Sequence, residues 1–256
     1  MVCLNNKIKI GYESDEKMKA YKKAITFSYD DGVLYDNRLI EIFNKYGIKA
    51  TFNICTGDRE SATKGWRTEN GTLVKRNDFS KIENIRIYDG HEVACHTRNH
   101  PWINTVDDDT LVEEILGNKR DLEEMFGREV IGMAYPFNFY DDRTIKILSD
   151  NRFLYARQGG ETHSFDIQSD LLRFHPTCYH LDEALFELAD KFLVMKPDTL
   201  KIFYIWGHSY ELEDVAYWEI MEEFCKKISG RDDIFYGTNR DVFELQQKVR
   251  ETEGSD

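Results

Sequence analysis

The chain has 256 residues, 41% of them hydrophobic and 13% aromatic, and a net charge of −13. That length and apolar share suit one large domain with a sizeable core and exclude extended disorder. The acidic balance disfavours nucleic acid, whose phosphates it repels, and no apolar run is long enough to span a bilayer.

The opening segment, MVCLNNKIKIGYESDEK, has neither the apolar stretch of a secretion signal nor a small-residue cleavage site. The five cysteines, Cys3, Cys55, Cys95, Cys178 and Cys225, are scattered and form no CxxC pair. They fit buried thiols in a reducing compartment, and together these features predict a cytoplasmic protein. Residues 22–29, KKAITFSY, read as a buried strand that stops at Asp30-Asp31-Gly32. YDNRLIEIFNKYG carries Leu39, Ile40, Ile42 and Phe43 at helical spacing and ends on Gly47. Residues 48–55 form a second predicted strand. A polar stretch from about 58 to 80, with Gly65, Trp66 and Gly71, reads as an inserted loop or hairpin.

HEVACH (91–96) predicts a short strand, and residues 106–127 a helix with an acidic first turn and Gly127 past its end. Further strands are predicted at EVIGMAYP (129–136), FLYARQ, KIFYIWGH (201–208) and DIFYGT. Helices are predicted at DDRTIKILSDN, LDEALFELADKFLVM, DVAYWEIMEEFCKKIS and NRDVFELQQKVRE. About seven strands thus alternate with helices, each strand apolar along its length. The pattern predicts an α/β fold with a parallel sheet, closed as a barrel or distorted barrel. There is no linker or repeat, so residues 1–256 read as a single domain with ETEGSD as a short polar tail.

Four reactive clusters fall at the C-terminal ends of predicted strands: Asp30-Asp31, His96 with His100, Tyr135-Pro136-Phe137-Asn138, and His208. In a parallel barrel those ends share one face, so the clusters should converge. Two adjacent carboxylates repel each other, and a bound cation is what would keep both. His96 and His100 in HTRNHP are spaced to bring two imidazoles together, and one carboxylate would complete a three-ligand site with an open position. Such a set suits zinc, and also iron, cobalt or manganese. Singly, a DDG is a turn and an HxxxH a pair of capping histidines; their coincidence on one face is what favours a site.

With these residues in hand, the chain resembles the polysaccharide deacetylase family, the NodB-homology or carbohydrate esterase 4 group. FSYDDG matches the family's TFDDG, HTRNH matches H-[ST]-x-x-H in full, AYPFN meets R-x-P-[YF]-G in part, and IWGH approximates L-x-H. The resemblance covers about residues 20–245. It implies a distorted (β/α) barrel of about seven strands and a divalent metal, zinc first, with cobalt, nickel, manganese or iron as alternatives. Carried over by residue, it makes Asp31, His96 and His100 metal ligands, Asp30 the general base and His208 the general acid. Tyr135, Pro136 and Phe137 would line the substrate, with the Phe137 backbone N–H at the oxyanion. The family's motif-three Arg is Ala134 here, and Arg157 is the expected substitute as partner of the base. Asp166 or Asp170 is the expected orienter of His208.

The implied reaction is removal of an N-acetyl group from an amino sugar in a polymer, oligosaccharide or glycoconjugate. Alternatives are hydrolysis of another non-peptide C–N bond, as in allantoinase-like or deformylating enzymes, and a non-catalytic carbohydrate-binding relative. The expected partner is a carbohydrate or small N-acyl compound, not nucleic acid or membrane. Trp66 on the insertion is a candidate for stacking on a sugar, Trp218 reads as core, and His163, His175 and His180 read as loop residues.

Overall fold

The computed structural model describes residues 20–57 and 63–253, with side chains described to residue 251. Cys3, the opening segment and residues 254–256 of the ETEGSD tail lie outside the described residues, as do residues 58–62 of the insertion. The strands are β1 Lys23–Asp31, β2 Ala50–Ile54, β3 Trp66–Arg67, β4 Leu73–Val74, β5 Glu92–Cys95, β6 Gly132–Ala134, β7 Tyr155–Arg157, β8 Cys178–Tyr179, β9 Lys201–Gly207 and β10 Phe235–Tyr236. The helices are α1 Asp36–Lys45, α2 Ile82–Arg86, α3 Asp108–Val112, α4 Asn118–Phe126, α5 Asp142–Asp150, α6 Leu185–Val194, α7 Ser209–Asp214, α8 Trp218–Ile228 and α9 Asn239–Glu253. No helix among the described residues is long and apolar enough to cross a membrane.

The main sheet has eight strands in the order β7-β6-β5-β2-β1-β9-β8, with β10 joining β1. All its pairings are parallel. β1 is the hub. One edge pairs with β9 from Lys23 to Tyr29. The other edge pairs first with β10, at Ala24 and Ile25, and then with β2, from Phe27 to Asp31. The outer strands β7 and β8 do not pair with each other. The segment running into β8 fills the gap: Phe174 bridges to Arg157, and the Thr177 N–H donates to the Tyr204 carbonyl at 2.9 Å. The result is a distorted barrel.

Burial on both faces makes the strands apolar outside but not inside. Ile25, Phe27 and Tyr29 face the larger core under the helices, where Phe27 packs 4.8 Å from Phe43 of α1. The alternate positions Ala24, Thr26, Ser28 and Asp30 are also buried, yet three of the four are polar. These follow the two-residue period into the barrel interior, so the strand expected to be apolar along its length is polar on its inner face. The C-terminal helix α9 fills the interior behind the site. Phe243 packs against Tyr155 and Phe174 at 4.9 and 4.8 Å. Asn239 accepts from Thr26 Oγ1 at 2.8 Å and donates to the Tyr204 hydroxyl at 2.6 Å, leaving neither end of its amide stranded.

The polar insertion forms an antiparallel hairpin, β3 with β4, anchored beside the β1 exit by a Val33–Arg76 bridge. Three elements have no counterpart in the sequence reading: the short helices α2 and α7, and β8 in the stretch read as loop.

Candidate metal centre and cleft

The two carboxylates are the last residues of β1 rather than part of the turn after it. Asp30 keeps the strand's alternation and points into the barrel. Asp31 has φ 80°, in the left-handed region, and Gly32 follows at φ 71°. A Cβ on Gly32 would lie 2.9 Å from Ile54 Cγ2, so this turn both needs the positive φ and leaves no room for a side chain. The twist separates the two carboxylates, which would otherwise sit as crowded like charges.

The histidine loop follows β5. Thr97 and His100 also have positive φ, 63° and 58°. Strained backbone of this kind persists where its surroundings hold it, and it clusters at functional sites. Here the Asn99 N–H donates to Glu114 Oε2 at 2.8 Å, the His100 N–H to Thr97 Oγ1 at 3.0 Å, and the His96 N–H to Asn118 Oδ1 at 3.0 Å. Glu114 lies in a π-helical turn, Glu113–Gly117, set between α3 and α4. The wider turn aims Glu114 at the loop, as such turns do at functional sites.

Asp31, His96 and His100 converge. His96 Nε2 and His100 Nε2 lie 3.9 and 3.8 Å from Asp31 Oδ1, and the three donor atoms lie within 4.8 Å of one another. His96 Nδ1 is 2.9 Å from the Ala134 carbonyl and must be the protonated nitrogen. The lone pair is then on Nε2, which is buried and has no hydrogen-bond partner. Burial, and for His100 the neighbouring His96 as well, lowers both imidazole pKa values, His100 to about 4. Two neutral imidazoles, one with an orphaned lone pair and a backbone-fixed tautomer, and one carboxylate oxygen fit a divalent cation with room for further ligands.

Asp30 lies beside this cluster in an ion pair. Arg157 Nη2 bonds both of its oxygens, and Asn53 Nδ2 donates to Oδ1 at 2.8 Å. Burial pushes the Asp30 carboxyl up, but the charges of Arg157 and His208 outweigh it and hold it below the ordinary carboxylate range. Arg157 is itself fully inside, its guanidinium 4.8 Å from the Trp206 ring.

His208 closes the cleft, with Nε2 4.0 Å from Asp30 Oδ2 and Nδ1 3.1 Å from Glu211 Oε2. The same Glu211 oxygen accepts from the His208 N–H and from His180 Nε2, both at 3.0 Å. His180 Nδ1 is 3.2 Å from the Tyr29 hydroxyl. Gly207 makes this possible: a Cβ there would stand 2.5 Å from the His180 ring. Burial lowers the His208 pKa, but the carboxylates of Glu211, Asp31 and Asp30 overcome it and raise it to about 9. Glu211 is held well below the usual range, because His208 and His180 outweigh its burial.

Asp166 and Asp170 are not in this site. They bond Lys201 and Arg173 at the surface, and Glu211 occupies the place expected of them. Nothing but its spacing pointed to it: His208 and Glu211 stand at the N-cap and N3 positions of α7, a capping-box arrangement. His180 was read as a loop residue but is fully buried, whereas His163 pairs with Asp182 and His175 with Gln158 at the surface. Trp218 is buried. The Tyr135 hydroxyl turns away to the Leu172 carbonyl at 2.7 Å. Pro136 and Phe137 form a tight turn beside His100, and the Phe137 ring lies 4.4 Å from the His100 ring. The cleft above these groups has a volume of about 540 Å³, with Trp66 and Tyr210 on one side and Phe137 and Asn138 among its other lining residues.

A family model described as polysaccharide deacetylase matches residues 17–156. Over 127 residues the chain is 24% identical to a peptidoglycan-N-acetylglucosamine deacetylase from Bacillus cereus, covering 49% of the chain and 51% of that protein. The match thus spans about half the length of that relative. In fold, the chain is similar to a Mycobacterium smegmatis protein assigned as a polysaccharide deacetylase (TM-score 0.60, 17% identity, 91% and 92% of the two chains). It is also similar to a peptidoglycan deacetylase from Bacillus subtilis (TM-score 0.56, 16% identity, 91% and 96%). A carbohydrate esterase 4 pseudoenzyme from Bacillus anthracis shares the fold at TM-score 0.50 and 16% identity, over 87% and 66%.

Proposed function

The chain belongs to the polysaccharide deacetylase family, and from that premise we propose that it hydrolyses the N-acetyl amide of an amino sugar with the help of a divalent metal. The observation that carries the reading is the buried, unpartnered Nε2 of His96 facing His100 and Asp31, next to a carboxylate kept ionised by Arg157. Asp31, His96 and His100 would hold the metal. Bound there, a divalent cation supplies Lewis acidity to the amide carbonyl and eases deprotonation of water.

Each remaining role falls to a residue with suitable chemistry. Asp30 accepts the proton of the attacking water. Arg157 and Asn53 fix its orientation, so little reorganisation accompanies the transfer. The Phe137 backbone N–H stabilises the oxyanion, with Tyr135 and Pro136 shaping that wall. His208 protonates the leaving nitrogen, which departs poorly as an amide anion. Glu211 keeps that imidazole charged and turned toward the cleft. Asp30 and His208 are only 4.0 Å apart, so the acetamide must part them.

The test is acetate release from N-acetylglucosamine oligomers by zinc-loaded protein. Activity should vanish with a chelator and return with zinc. Asp30→Asn should retain metal yet lose about 10²–10⁴ in kcat, the usual worth of a positioned base. Metal binding without release of acetate, ammonia or ring-opened product from any N-acyl substrate would favour the non-catalytic reading instead, a fate that the fold neighbour from Bacillus anthracis illustrates.

A further inference from the structure

One side chain ties the turn after β6 to the strand beside it. β6 and β7 run in register with Ala134 opposite Arg157. The Tyr135 N–H donates to the Arg157 carbonyl at 3.0 Å, and the chain then turns over Pro136–Asn138. Phe137 and Asn138 both have positive φ, 54° and 64°, a strained backbone that its surroundings must hold. Asparagine is one of the few residues besides glycine that visit this region readily. Here its side chain also has a partner: Asn138 Oδ1 accepts from the Gly159 N–H, two residues beyond Arg157. Both ends of the contact are fitted to it. A Cβ on Gly159 would lie 2.6 Å from Asn138 Oδ1 and 2.9 Å from the Trp206 ring. Gly159 has no positive φ, so closeness rather than conformation calls for glycine there.

The segment that Asn138 grips is the one that holds the base. Arg157 bonds both oxygens of Asp30, and its Nη1 donates to the Gln158 carbonyl at 3.2 Å. The guanidinium lies over the Trp206 ring, and Trp206 Nε1 donates to the Gly160 carbonyl at 3.1 Å. We propose that Asn138 is a positioning residue: it clips the turn bearing the Phe137 N–H to residues 157–160, and so fixes that N–H relative to the Asp30–Arg157 pair. The inference rests on the deacetylase reading above. In a sequence R-x-P-[YF]-G the arginine and the turn residue are three positions apart on one chain, and covalent geometry sets their separation. In AYPFN the first position is Ala134, and the arginine stands opposite it on β7. The covalent link between base partner and turn is therefore missing. A side-chain hydrogen bond from the last position, where that pattern has glycine, supplies a link in its place. Attack on an amide needs both ends at once. Water gives its proton to Asp30 while charge grows on the carbonyl oxygen beside the Phe137 N–H. A donor displaced from that oxygen loses most of its worth.

The experiment compares zinc-loaded native protein, Asn138→Gly and Asn138→Asp in acetate release from N-acetylglucosamine oligomers. Asn138→Gly leaves the turn free to keep its positive φ and removes the acceptor. Its kcat should fall about tenfold with KM within about twofold, because the lost alignment matters in the transition state and not in the bound substrate. Asn138→Asp retains an acceptor oxygen and should recover most of the rate. In an Arg157→Lys background, where the base is already loosened, Asn138→Gly should cost less than about twofold more. Amide hydrogen exchange at Gly159 reads the clip without turnover: it should quicken about tenfold in Asn138→Gly and not in Asn138→Asp. Acetate release with kcat unchanged in Asn138→Gly overturns the positioning role and leaves the deacetylase reading standing. So does a loss confined to KM, which makes Asn138 a substrate contact, and so does a loss that follows metal content or the folded fraction. Full additivity with Arg157→Lys also overturns it. If the native protein releases no acetate from any N-acetyl sugar, both readings fall.

Discussion

Glu211 is a single carboxylate serving two donors, the backbone N–H of His208 and the ring of His180, and it also forms an ion pair with the His208 ring, whose Nδ1 lies 3.1 Å from Oε2. Its negative charge is the main reason His208 stays protonated against its burial. In the proposed reaction His208 is the acid and must carry its proton, so this charge would set the alkaline limit of activity. Glu211→Gln keeps the shape but removes the charge; the His208 pKa then falls, and the alkaline limb of the kcat/KM profile should move to lower pH by about 1–3 units, the usual effect of one close counter-charge. Metal content should not change, and a limb that stays in place would show that another group governs it. Residues whose signal is local were legible beforehand: DDG and HTRNH stood out because they coincide at the ends of neighbouring predicted strands and match the family's motifs. Arg157 was legible only as the nearest cation able to replace the missing one at Ala134. Asn53, Asn118 and His180 were not, because each reaches the site across the sheet from a strand, helix or loop whose sequence neighbours carry no reactive group.

Among the elements, the helical stretch after the histidine loop does the most to shape the centre. Its π-helical turn directs Glu114 to Asn99, and Asn118 at the start of α4 accepts from His96 N–H while donating to the Ile54 carbonyl at 3.0 Å. One buried amide thus ties β2 to the first residue after β5. Asn118→Ala leaves the His96 N–H and the Ile54 carbonyl unpaired, which should cost about 1–3 kcal/mol in stability. Metal affinity should fall 10–100-fold, as for other outer supports of a ligand. Competition with a chromophoric zinc chelator measures this without any assay of turnover. Seven strands of the main sheet were visible in the sequence because they are short apolar runs, most of them rich in β-branched and aromatic residues, that alternate with helical patterns. β8, two residues long, presents no such run, and its place is fixed by partners on β9. The helix expected at DVAYWEIMEEFCKKIS instead begins at Trp218 and is preceded by α7. Ala216 breaks the run with φ 53°, a turn that local propensity does not announce.

At the scale of the whole molecule, two carboxyls outside the proposed chemistry have raised pKa values. Asp36, at the start of α1, accepts from Ser209 Oγ at 2.6 Å and Tyr88 OH at 2.7 Å. Glu92, at the start of β5, accepts from Thr51 Oγ1 at 2.7 Å and Tyr155 OH at 3.1 Å. Burial raises each to about 7, over the opposition of those hydrogen bonds. A carboxyl with a raised pKa in the folded state adds stability fully present below its unfolded value, about 4, and lost as pH rises through about 7. Urea midpoints of the native chain should therefore decline between about pH 4 and 7 and level off above that. Asp36→Asn should flatten that decline, whatever it does to the midpoint itself; an unchanged slope would assign the pH dependence elsewhere. The strand that bears Asp30 and Asp31 is flanked by residues 201–207 along one edge and by 235–236 along part of the other. Residues 50–54 pair with its Phe27–Asp31 half and are translated soon after it, but residues 201–207 and 235–236 follow only after the intervening helices and strands. Until they emerge, one edge of this strand is open to neighbouring chains, so closure of the barrel and escape from aggregation await the same late event.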